Sequence, residues 1–229
     1  MVRSPRRSWR VRWRWLIRLS GLSSLVTVVA VVAAATCRPS WYAPAAIDVA
    51  QLKTDQKAVV DLWDAIGAAL NAGRPIDFEL RADQLNRWLA ARQELWPELE
   101  VEIELEGARD PQLQLLDGNR LRIGATAATG AADLVVSATL HLELSGDELR
   151  LQVESVRAGV LPIPRDRVLD PVRALLSTED TARAALVGHT ITLRNRWVWR
   201  NGERRFRVRE LAVSNGLARV SFEPIPNVP

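Results

Sequence analysis

Reactive side chains are scarce in this chain. Its 229 residues include one cysteine and two histidines. With Cys37 alone, no intramolecular disulfide can form, and the redox compartment cannot be read from pairing. His141 and His189 are too few for most metal centres or catalytic triads. There is no G-x-S-x-G, no phosphate-binding glycine loop, no G-x-G-x-x-G and no H-E-x-x-H. The sequence therefore argues against an enzyme, and it implies neither a cofactor nor a metal. Lysine is nearly absent as well, with only Lys53 and Lys57. That bias resembles coding preference and carries no function.

Basic charge is missing from most of the chain. Arg3, Arg6, Arg7, Arg10, Arg12, Arg14 and Arg18 crowd residues 1–18, which hold no acid. The remainder carries 24 basic against 27 acidic residues. A mildly acidic body lacks the clustered basic footprint that nucleic-acid binding requires, so no nucleic-acid partner is expected.

What is present begins with an uncharged stretch, residues 19–37, long enough to span a bilayer as a helix. The arginines precede it, and Trp13, Trp15, Trp41 and Tyr42 flank its ends. This pattern predicts a basic cytoplasmic tail at 1–18, a transmembrane helix at 19–37, a linker at 38–47 and an extracytoplasmic α+β domain at 48–229. A signal peptide cleaved near Ala33-Ala34-Ala35 is one alternative. Lipidation at Cys37 is another, although Thr36 suits it poorly. All three place the body outside the cytoplasm, periplasmic or extracellular, with the membrane as partner.

The body opens with a helical pattern over residues 48–72. Leu52, Val59, Leu62, Trp63, Ile66 and Leu70 form one stripe, and Gly73 and Pro75 stop it. A short strand at 76–80 and a second helix at 83–95 follow. Residues 98–106 alternate five glutamates with Leu99, Val101, Ile103 and Leu105, a strand pattern. Same-face glutamates there stand about 7 Å apart by strand rise, too far to hold one small ion unaided.

Strands at 112–116 and 120–126 flank the turn Asp117-Gly118-Asn119. The longest alternation runs over 132–144. Leu134, Val136, Ala138, Leu140, Leu142 and Leu144 share one face. Val135, Ser137, Thr139, His141 and Glu143 share the other, which is expected to meet solvent. On that register Leu142→Ala is costly, whereas Thr139→Ala changes stability by under about 1 kcal/mol. Another strand covers 148–156. The run Gly159 to Pro164 breaks the sheet. Helices are expected at 166–176 and within 181–187, then strands at 190–200, 204–213 and 217–222.

The order of four of these features resembles the YpmS-like envelope proteins. They are Phe78-Glu79-Leu80, then Asp83-Gln84-Leu85-Asn86 opening a helix, a β meander, and Gly159-Val160-Leu161-Pro162-Ile163-Pro164 before another helix. The resemblance covers residues 77–176, and Arg81 stands where a capping serine or threonine would be expected. Such proteins are membrane-anchored and are similar to the tubular lipid-binding superfamily, in which a curved sheet wraps a long helix. The resemblance supplies no catalytic residue.

The fold class expected is therefore α+β: one N-terminal transmembrane helix, then a curved antiparallel β-sheet packed on one or two long helices. Two functions compete. One is a binding module for a lipid or other apolar ligand. Its groove would lie between Val59, Trp63 and Ile66 of the helix and Val136, Leu140 and Leu142 of the sheet. The other is a non-catalytic structural or protein-interaction component of the cell envelope with a fully packed core. A groove and a filled core share one binary pattern.

Overall fold

The structure is a computed structural model that describes residues 30–96, 108–128, 133–170, 184–199 and 204–226. Residues 30–36 are helical and lead into an irregular segment. Helix α1 spans Val49–Asn71, where Asp48 accepts the backbone N–H of Ala50. It stops where Gly73 takes a φ of 66°, a left-handed conformation that costs glycine little. Strand β1 (Ile76–Arg81) runs directly into α2 (Ala82–Ala90) and the single turn α3 (Arg92–Leu95). Arg81 offers α2 no side-chain cap.

Ten strands follow. They are β2 (Ala108–Leu116), β3 (Arg120–Ala128), β4 (Asp133–Ser145), β5 (Glu148–Ala158), β6 (Leu161–Ile163), β7 (Ala184–Val187), β8 (Thr190–Arg194), β9 (Trp197–Val198), β10 (Arg205–Ser214) and β11 (Leu217–Ile225). Among the described residues they form two antiparallel sheets. The larger has the order β2-β3-β4-β5-β8-β7, with β6 beside β5. The smaller has the order β1-β11-β10-β9. Local turn chemistry sets the hairpins: Gly118 and Asn119 both adopt positive φ between β2 and β3, as Asp-Gly-Asn requires.

The smaller sheet packs against one end of the larger sheet's aliphatic face. Leu115 and Leu142 are buried there against Val213 and Ala218, with Leu85 of α2 beside them. Two asparagines fix the junction. The N–H of Val213 donates to Asn119 Oδ1, and the Asn119 N–H donates to the Val213 carbonyl. Asn195, wholly buried, holds Val208 by both its N–H and its carbonyl. A third, Asn86 on α2, pairs in the same way with Leu113 on the edge strand β2. Side-chain amides thus supply hydrogen bonds that strand pairing cannot reach. At the other end of the same face, Val153, Val156 and Leu169 form a second cluster, which Leu169 joins from the helical residues 165–170.

Three expectations need correction. The fold is mostly antiparallel sheet with few helices, and α1 is the only described one longer than nine residues. Among the described residues no helix is long and apolar enough to cross a membrane. The expected transmembrane helix is therefore not among the elements of this fold; its residues 19–29 lie outside those described. Residues 184–187, expected to be helical, form β7, paired with β8 from Ala184↔Leu193 to Val187↔Thr190. The single strand expected at 190–200 is two strands in different sheets, because Asn195 turns its amide onto β10 and parts them. The glutamate row at 98–106, the helical residues 171–176 and the Asn201-Gly202 turn lie outside the described residues.

Candidate functional site

The six residues of the expected groove occupy three places. Val59 and Ile66 are buried on α1. Trp63 packs its ring against Trp199, with centroids 5.3 Å apart. From there an aromatic row crosses the smaller sheet: Trp199 to Phe206 at 6.0 Å, Phe206 to Phe222 at 5.0 Å and Phe222 to Phe78 at 5.1 Å. The Trp199 ring also lies over Gly67, where a Cβ would make an ordinary contact with it at 3.4 Å. The stripe of α1 thus meets the aromatic row of the smaller sheet. Val136 and Leu140 instead join the cluster around Val153, Val156 and Leu169. Leu142 joins the junction cluster with Leu115, Val213 and Ala218. On the same aliphatic face, Ile123 opposite Ala138 is 41% exposed.

The other face of the larger sheet is where the sequence and the structure differ most. Val135, Ser137 and Thr139, expected to meet solvent, are all buried. Residues 34–42, which span the end of the expected transmembrane helix and the start of the expected linker, lie against this face. The carbonyl of Ala34 accepts the N–H of Val160, and a Cβ on Gly159 would collide with the carbonyls of Ala34, Ala35 and Cys37. The chain then crosses β4 to β3. The Trp41 ring lies on Gly124, where a Cβ would come within 2.7 Å of it. Gln112 Nε2 donates to the Trp41 carbonyl at 3.0 Å.

Tyr42 locks the segment down. Its side chain is 3% exposed. Its hydroxyl donates to the Asp110 carbonyl at 2.7 Å and contacts Thr126 Oγ1 at 2.8 Å. Burial raises its pKa above the ordinary tyrosine value, and nearby Asp110 adds to that, while the Thr126 hydrogen bond and Arg38 oppose it. The sequence carried one usable signal for this cover. Gly124 interrupts a strand interior, where glycine often marks a close approach of other chain. Trp41 and Tyr42 suggested a membrane interface instead, since aromatic residues serve both roles.

Beside Trp41 stands Arg122, half-buried, with its guanidinium carbon 5.5 Å from the ring centroid. Its Nε reaches Thr139 Oγ1 and its Nη1 reaches Gln114 Oε1, each at 3.4 Å. Burial lowers its pKa, and so do the like charges of Arg157 and Arg120. Farther along the same face, a shallow cavity of about 550 Å³ is lined by Glu143, Glu148, Arg150, Gln152, Thr190 and Thr192, with Ala185 and Val187 at its edge. His141 lies on this face, opposite Arg120 and Gln152. His189, on the β7–β8 turn, meets Asp166 Oδ1 through Nε2 at 3.1 Å. Among the described residues no group of three His, Cys, Asp or Glu side chains could hold a metal ion. No family model matches the chain, and no curated protein or solved structure matches it either.

Proposed function

We propose that the protein is a non-catalytic interaction component of the cell envelope, built as a packed scaffold. One observation carries this reading: the aliphatic face of β4 is divided between two side-chain clusters, while α1 lies against the aromatic row of the smaller sheet. A face packed this way contributes its energy to the fold and not to a ligand. Placement outside the cytoplasm, at the membrane, is supported by the arginine-rich start, the uncharged stretch after it and the resemblance to envelope proteins. The absence of recognised catalytic motifs in the sequence supports a binding role over chemistry.

The second reading, a module for a lipid or other apolar ligand, is favoured by Ile123. This residue leaves apolar surface open on the aliphatic face between Leu113 and Ala138. Melting the full-length protein in neutral detergent with increasing fatty acid separates the two. The packed scaffold predicts an unchanged melting temperature. A saturable rise that Ile123→Asp abolishes would favour the ligand reading, because a ligand bound only to the folded state stabilises it by mass action.

A further inference from the structure

The polar face of the larger sheet carries three arginines that have no counter-ion among the described residues. Arg120 and Arg122 stand two apart on β3, and Arg157 stands on β5, with β4 between them. Strand geometry separates the first two by about 7 Å and puts the third about 10 Å across the sheet. Between them Thr139 lies opposite both Arg122 and Ser155, and Ser137 lies opposite Arg157; Thr139 and Ser137 are both buried, so the guanidinium groups are what a ligand would meet. Among the described residues none of the three forms an ion pair. Arg120 reaches only the Asp117 carbonyl, and Arg122 only a hydroxyl and a neutral amide. Several other surface arginines of the sheets are neutralised, Arg150 by Glu148, Arg209 by Asp77, Arg219 by Glu79 and Arg207 by Glu223, whereas Arg194 and Arg205 stand singly on other strands.

Three like charges on one patch repel, and the half-buried guanidinium among them has lost hydration without gaining a carboxylate. Trp41 fixes the position of that guanidinium, so this one donor is in place before any partner arrives. The partner that relieves it must be anionic. A single carboxylate would neutralise one charge of three. A tetrahedral oxyanion of higher charge can accept from several guanidinium forks at once, and long arginine side chains can converge on it. We propose that Arg120, Arg122 and Arg157 form a binding site for a phosphate-type oxyanion, with Arg122 as the fixed donor and the other two closing on the ligand from either side. The site stands independently of whether the aliphatic face binds anything.

The test is calorimetric titration of the full-length protein in neutral detergent, at low salt, with inorganic phosphate and pyrophosphate. In parallel, the protein is sedimented with vesicles of phosphatidylcholine alone or mixed with phosphatidylglycerol. Binding of a soluble phosphate assigns a free ligand, and binding only to the anionic vesicles assigns a lipid headgroup; either supports the site when Arg157→Gln weakens it, which separates it from attraction to the arginines of residues 1–18. Arg157→Gln should weaken that binding by about tenfold or more, as loss of one charge-assisted fork does. Arg219→Gln, on the smaller sheet, should leave it unchanged. Because Arg157→Gln also removes repulsion, its melting temperature without ligand should equal or exceed that of the wild type, which excludes misfolding as the cause. If no phosphate and no anionic vesicle binds, or if binding is the same in Arg157→Gln, the proposal is overturned.

Discussion

Leu142 and Thr139 are three residues apart on β4, and both are 8% exposed. They are buried by different parts of the chain. Leu142 packs at the junction of the two sheets, so Leu142→Ala should cost about 2–5 kcal/mol in denaturant unfolding, the range for emptying a packed leucine site. Thr139 accepts from half-buried Arg122, so Thr139→Ala should cost about 1 kcal/mol or more by leaving that donor unpaired. Its alternation was legible in the sequence, and the aliphatic half of the pattern points inward as the period requires. The polar half was not, because period alone tells which residues share a face and not what covers it. A neutral Thr139→Ala would mean that the face is open.

At the scale of elements, the sequence showed most where a local signal acts alone. The Asp48 cap and Gly73 bound α1 within a residue of the pattern, and Asp117-Gly118-Asn119 closes its hairpin as read. It failed where a side chain acts at long range. Nothing local marks Asn195 as a break, since its partner Val208 lies beyond another strand. Asn195→Ala should cost about 3 kcal/mol, because it leaves both the N–H and the carbonyl of half-buried Val208 without a partner. Asn215→Ala, at an exposed turn where only the backbone N–H is bonded, should change stability by under about 1 kcal/mol. Comparable losses for the two would show that the amide clamp does not hold the sheets. Gly124→Ala tests the other long-range contact. The added methyl meets the Trp41 ring at 2.7 Å, so it should cost about 1–3 kcal/mol and shift tryptophan emission toward that of exposed indole.

Across the whole molecule, both faces of the larger sheet are covered in part from within the chain. The smaller sheet closes part of one face, and the segment ending at Tyr42 closes part of the other, bonded to partners 68 and 84 positions further along. That closure leaves the arginine patch as the part of the polar face where charge is unspent. It also ties stability to pH. Tyr42 has a raised pKa in the folded protein, so its contribution is fully present below about 10, the ordinary tyrosine value, and is lost as pH rises through the raised folded value. Tyr42 is the only tyrosine in the chain, so tyrosinate absorbance reads this one contact without interference. The decisive measurement is its titration in the native protein and again in denaturant. Ionisation is expected above the ordinary value when native, falling to that value once unfolded. Ionisation at the same pH in both states would mean that the N-terminal segment does not cover the sheet.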